Sequence, residues 1–137
     1  MFISEQEFRR KLRQKKILEW TRYLSYYYAT PKGFVETSLR KGRNILLCLD
    51  LKGASRVKRL YPRNTVTIFI KPPSLEALES RIKKRCNKTK KEEIRQRLKL
   101  ARQELGAWRL YDYSITNGSL PQAARALKKI ILKKITG

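Results

Sequence analysis

The chain has 137 residues, which suits one domain able to bury about two-thirds of its unfolded surface without disulfides or metals. Lys and Arg number 34 against 11 Asp and Glu, a formal charge of +23, so the surface is basic almost everywhere and favours anionic partners. The absence of histidine removes the usual parts of zinc sites and of Ser-His or Cys-His catalysis, while Cys48 and Cys86 form neither a CxxC pair nor a disulfide framework, which fits a reducing cytoplasm.

In chain order, Ser4 followed three residues later by Glu7 makes a capping box, and Phe8 and Leu12 lie one turn apart. Together they predict a basic helix running to about Lys16. Residues 17–28 are irregular and aromatic and read as short strands and loops of a small subdomain. Thr30 and Pro31 predict an N-cap and a first-turn proline for a helix whose Phe34, Val35 and Leu39 share a face and which stops at Gly42. Residues 44–50, a continuous apolar run ending in Asp50, predict a strand covered on both faces, as in parallel α/β sheets. A helix over residues 53–60 follows and ends at Pro62, and residues 65–70 make a β-branched strand. After Pro72 and Pro73, Ser74 caps a helix to about Arg85. Residues 87–91 are a polar break, after which Thr89 and Glu92 cap a helix reaching toward Arg109. Residues 113–117 make a third short strand. Ser119 and Gln122 cap the last helix, which carries Ala123, Ala124, Leu127, Ile130 and Ile131. The alternation of strand and helix predicts a βαβ topology.

Residues 17–53 read ILEWTRYLSYYYATPKGFVETSLRKGRNILLCLDLKG. They resemble the monophosphate-binding half of guanylate kinases, where FLEW is followed by NYYGT, a helix, and a strand ending in IDVQG. The likeness continues through IKPPSLEALESRIKKR at 70–85, EEIRQRLKLARQEL at 92–105 and DYSITNGSLPQAARALKKII at 112–131, so it covers nearly the whole chain. It implies an α/β fold: a partial P-loop-NTPase-like parallel sheet flanked by helices, with a small GMP-binding subdomain and a helical lid. A single domain over 1–137 is expected, with the GMP-binding subdomain at about 1–43, the remaining core at 44–137 and the lid at about 83–98. The implied activity is transfer of the terminal phosphate of ATP to GMP, giving GDP, with Mg²⁺.

The resemblance assigns roles residue by residue. Glu19 matches the glutamate that accepts the N1 and N2 hydrogens of guanine, and a carboxylate suits that edge because it accepts in a bidentate arrangement. Tyr28 matches the tyrosine whose hydroxyl touches the GMP phosphate, Thr30 a hydroxyl that contacts the base, and Asp50 the second acid of a D/E-x-D strand end. An acid in that place also serves simply as a helix cap. Tyr26 and Tyr27 read as packing residues. Arg85 and Arg97 match the two lid arginines that stabilise the migrating phosphoryl group, with Arg81 and Arg95 as weaker candidates. Asn117 matches an asparagine near the adenine of ATP. No metal ligand is assigned.

The sequence also departs from the family pattern. Cys48 stands where the first acid is expected, Ala29 replaces a glycine, and Gly118 and Ser119 replace an acidic pair. Met1 to Phe8 resembles the family's YxFVSxxEF entry to a helix, and none of the six glycines lies in a GxxGxGKS phosphate loop. The expectation is therefore an N-terminally truncated member without its P-loop and upstream phosphate-clamping arginines, inactive on its own. A catalytically dead guanylate-kinase-like binding module is the alternative, and a basic nucleic-acid binder is the weaker one. No apolar run approaches the roughly 20 residues of a membrane helix, so no membrane partner is expected.

Overall fold

The computed structural model describes residues 3–23, 25–85 and 90–137. The chain runs α1 (Glu5–Arg13), β1 (Ile17–Tyr23), β2 (Tyr26–Pro31), α2 (Lys32–Arg40), α3 (Leu51–Leu60), β3 (Ile68–Lys71), α4 (Leu75–Arg85), α5 (Lys91–Leu105), a 3₁₀ turn (Gly106–Leu110), β4 (Tyr113–Thr116) and α6 (Leu120–Thr136). These elements fall into two units, Met1–Thr65 and Val66–Gly137. β1 and β2 form an antiparallel pair and β3 and β4 a parallel one, so the fold class is α/β.

In the first unit α1 starts where Ser4 Oγ accepts a hydrogen bond from the Glu7 N–H at 3.1 Å, as the cap pattern predicts. It ends at Gln14, short of Lys16, because Lys15 turns into left-handed backbone at φ 54° and Lys16 joins the hairpin, its carbonyl accepting from the Lys32 N–H at 2.9 Å. Phe8 is buried, stacks on Tyr27 with ring centroids 4.7 Å apart and meets Trp20 edge-on at 5.7 Å. Tyr27 thus has the expected packing role, but Tyr26 does not: it is largely exposed.

α2 begins differently from expectation. Pro31 holds the N-cap position without any side-chain cap, since the Thr30 hydroxyl is committed elsewhere. Val35 is buried and Leu39 packs on the core, whereas Phe34 is 61% exposed, so the expected three-residue face is reduced to two. Gly42 stops the helix at φ 67°, a left-handed conformation that a side chain would strain.

The core of this unit is Leu18, Val35 and Val57, with Leu39, Ile45, Leu47, Leu49 and Tyr61 packed against it. Residues 44–50 depart most from the sequence reading: they form no ladder with any described strand. Ile45, Leu47 and Leu49 lie on the core while Leu46 and Cys48 are exposed, so one face is covered rather than two. An apolar run reports that burial is favourable, and it does not specify which neighbour supplies it.

In the second unit Ile68 lies opposite Tyr113 and Lys71 opposite Thr116, with α4 and α5 in the crossover of a βαβ arrangement. The ladder is extended by Tyr113 N–H to Thr67 O at 3.1 Å and Asn117 N–H to Lys71 O at 2.7 Å. Ser74 Oγ accepts from the Ala77 N–H at 3.0 Å and caps α4 as predicted. Thr89 lies outside the described residues, and Lys90 precedes α5 without a side-chain cap. α5 ends at Leu105 rather than near Arg109, where the chain tightens into the 3₁₀ turn. Ser119 sits at the N-cap of α6, yet its hydroxyl makes no cap bond. Ile115 and Ala123 are buried where β4 meets α6, and Ala124 is exposed. Among the described residues no helix is long and apolar enough to cross a membrane.

Urea unfolding checks the packing directly. Leu18→Ala is expected to lower stability by about 2–5 kcal/mol. Phe34→Ala, next to the buried Val35 but itself exposed, is expected to change it by less than about 0.5 kcal/mol.

Candidate functional site

The hairpin sorts its side chains by face. Glu19 pairs with Thr30 and Thr21 with Tyr28, whereas Trp20 pairs with Ala29 and Arg22 with Tyr27. Because strand residues alternate and Trp20 and Tyr27 meet Phe8, the residues Glu19, Tyr28 and Thr30 belong to the opposite face. The register slips between Ile17, opposite Pro31, and Glu19, opposite Thr30. Leu18 is the extra residue of this bulge, and both Leu18 and Glu19 are buried at 3% exposure. Leu18 enters the apolar core, and Glu19 carries its carboxylate toward the start of α3.

On Oε1, Glu19 accepts a hydrogen bond from the Thr30 hydroxyl. Its Oε2 lies against Gly53: a methyl group there would sit 2.7 Å from Glu19 Oε2 and 3.2 Å from Asp50 Oδ1. Asp50 caps α3, Oδ1 accepting from the Gly53 N–H at 2.8 Å. Arg56, one turn further, donates from Nε to Leu18 O at 2.9 Å and ties α3 to the bulge. The structure therefore brings Glu19, Thr30 and Asp50 together at the first turn of α3. Tyr28 shares their face of the hairpin and is 54% exposed.

Glu19 has no ion-pair partner among the described residues, although burying a carboxylate is costly unless it is paired or hydrogen-bonded. The Thr30 hydroxyl and the positive end of α3 offset part of that cost. What remains is a pair of neighbouring carboxylates suited to accept from adjacent N–H donors on a ligand.

Arg85, Arg97 and Asn117 belong to the second unit. Arg85 is exposed at the end of α4. Arg97, in α5, donates to Glu93 Oε1 from Nη2 at 2.8 Å and Nε at 3.2 Å. α4 and α5 pack on each other, and Glu79 spans them, 2.9 Å from Lys83 and 4.0 Å from Arg102. The hydrogen bond from Lys83 holds the Glu79 carboxyl below its ordinary range. Arg81 binds the loop after β4, donating to Asn117 O at 2.9 Å and Gly118 O at 3.2 Å, and Arg95 lies 3.4 Å from Glu92. Asn117 is half-buried, its backbone engaged by Lys71 and Arg81. Among the described residues no group of three or more Asp, Glu or Cys side chains could hold a metal ion.

The family model for guanylate kinase matches residues 1–134. The chain belongs to the guanylate kinase family. The guanylate kinase of Caldanaerobacter subterraneus subsp. tengcongensis is 40% identical over 131 residues, covering 96% of this chain and 63% of that protein. That of Bartonella henselae is 39% identical over 131 residues, covering 96% and 59%. The crystal structure of guanylate kinase from Anaplasma phagocytophilum matches with a TM-score of 0.82 at 26% identity, covering 99% of this chain and 65% of that one. The chain thus spans less than two-thirds of the length of these guanylate kinases.

Motif reading gives no role to two residues of this family member, although Gly53 ends the stretch that matches the family's IDVQG. Gly53 carries a signal in the sequence, a glycine in the first turn of a helix, where it is a poor helix former. Arg56 carries none, being one of 34 basic residues.

Thr30→Val removes the donor to a buried carboxylate while keeping the side-chain shape. It is expected to lower the free energy of unfolding by about 1–3 kcal/mol, measured by urea titration.

Proposed function

We propose that this chain carries the GMP-recognition and lid parts of an ATP:GMP phosphotransferase, in which the terminal phosphoryl group of ATP passes to GMP to give ADP and GDP. The reading rests on the buried Glu19 carboxylate, hydrogen-bonded by Thr30 and set beside Asp50 without a counter-ion among the described residues. Guanine presents N1–H and N2–H donors on one edge, which a carboxylate accepts together; adenine presents an acceptor at N1, which a carboxylate repels. In this reading Glu19 takes the guanine edge, Thr30 orients Glu19 and contacts the base, Asp50 is the second acceptor, and the Tyr28 hydroxyl meets the monophosphate. Arg85 and Arg97 supply positive charge to the migrating phosphoryl group, which this chemistry demands, and Asn117 lies on the adenine side. The GMP-binding subdomain is then about residues 1–43 and the lid about residues 83–98 of one domain, with 86–89 lying outside the described residues.

ATP enters as co-substrate with Mg²⁺. In this reading the chain supplies GMP recognition and lid charge, while it has no GxxGxGKS loop for the ATP phosphates and the described residues offer no cluster for Mg²⁺. Cys48, exposed at the place where the family carries an acid, supports a second reading: a guanylate-kinase-like module that binds GMP without turning it over.

Calorimetric titration of the full chain tests the first step. GMP is expected to bind at least about 100-fold more tightly than AMP, because a site built for hydrogen-bond donors discriminates strongly against an edge that lacks them. Glu19→Gln is expected to weaken GMP binding about 10- to 100-fold. A folded sample that binds GMP and AMP equally, or neither, removes the proposal. Formation of GDP on addition of ATP and Mg²⁺ separates the enzyme from the binding module.

A further inference from the structure

Gly53 is buried in the first turn of α3, and its backbone is not in the left-handed region that favours glycine. Nothing in the backbone requires glycine there, and alanine is the better helix former. The reason lies in the space beside it. A Cβ at Gly53 would sit 2.7 Å from Glu19 Oε2, 3.3 Å from Glu19 Cδ and 3.2 Å from Asp50 Oδ1, and the first of these is closer than such atoms approach. Glu19 has little room to yield, because it is buried, its Oε1 is bonded to Thr30, and the preceding carbonyl is held by Arg56.

We infer that Gly53 is a positioning residue: its missing side chain is the seat of Glu19 Oε2, and this seat sets the spacing of the Glu19 and Asp50 carboxylates that reads a two-donor purine edge. Selectivity for the guanine amino group then depends on position 53, which touches no base. The ligand part of this inference rests on the GMP reading, and the structural part does not.

A double-mutant cycle in the full chain tests the seat. Gly53→Ala is expected to lower the thermal midpoint while Glu19 is present. In a Glu19→Ala background the same change is expected to raise the midpoint by about 2–4 °C, because helix propensity is then opposed only by the 3.2 Å approach to Asp50 Oδ1, which a small shift of that side chain relieves. If Gly53→Ala alone fails to fold, the double variant is expected to fold. The same sign in both backgrounds, or a double variant that stays unfolded, overturns the inference, since the clash is then not with Glu19.

Nucleotide titration supplies the second readout. The unmodified chain is expected to prefer GMP to IMP, which lacks the 2-amino group, and Gly53→Ala to reduce that preference about tenfold. Equal proportional loss of both nucleotides marks a merely structural role and overturns the assignment. A chain that binds neither nucleotide while the stability coupling holds removes the GMP reading and leaves Gly53 as the seat of Glu19.

Discussion

A carboxylate that is 3% exposed and has no cationic partner among the described residues has to be held by other means, and the first unit is arranged around holding it. The bulge at Leu18 allows two successive residues of β1 to be buried, one apolar and one charged. Thr30 gives its hydroxyl to Glu19, so α2 starts from Pro31 with no side-chain cap. Asp50 caps α3 through the Gly53 N–H, and Gly53 in turn leaves space for Glu19 Oε2. Arg56 closes the arrangement by binding the carbonyl just before Glu19. Each of these contacts is modest alone, and together they leave the carboxylate one bonded oxygen and one oxygen seated on glycine.

The charge balance gives this cluster its contrast with the rest of the surface. Glu5, Glu7, Glu36, Glu79, Glu92 and Glu93 all lie within 4 Å of a lysine or arginine. Exposed pairs of this kind contribute little stability each. They do consume negative charge, and with 34 basic residues against 11 acidic ones they leave a field that concentrates anions. Within that field Glu19 stands apart, a buried carboxylate hydrogen-bonded by Thr30 and set beside the half-buried Asp50.

The described sheets are short, a two-stranded hairpin in the first unit and a two-stranded parallel pair in the second. Residues 44–50 show what such short sheets leave open. Their unbroken apolar composition is that of a strand covered on both sides, yet only Ile45, Leu47 and Leu49 reach the core. Composition reports how much a segment gains from burial, whereas the partner that provides burial is a property of the assembled chain. Phe34 illustrates the same point on a helix: it is as apolar as Val35 and adjacent to it, and only Val35 is covered.

The sequence by itself determined the strands and helices outside residues 44–50, the caps at Ser4 and Ser74, the stop at Gly42 and the choice of Glu19, Thr30 and Asp50, which meet at the start of α3. These follow from period, capping chemistry and motif, all of which act over a few neighbouring residues. Only the tertiary structure decided that Thr30 donates to Glu19 instead of capping α2, that Leu18 is the bulged residue, and that Arg56 and Gly53 position the carboxylate. Thr30 and Glu19 are 11 residues apart and Arg56 and Leu18 are 38 apart. Contacts at such separations depend on where packing brings two distant segments, and no local preference of either segment encodes that.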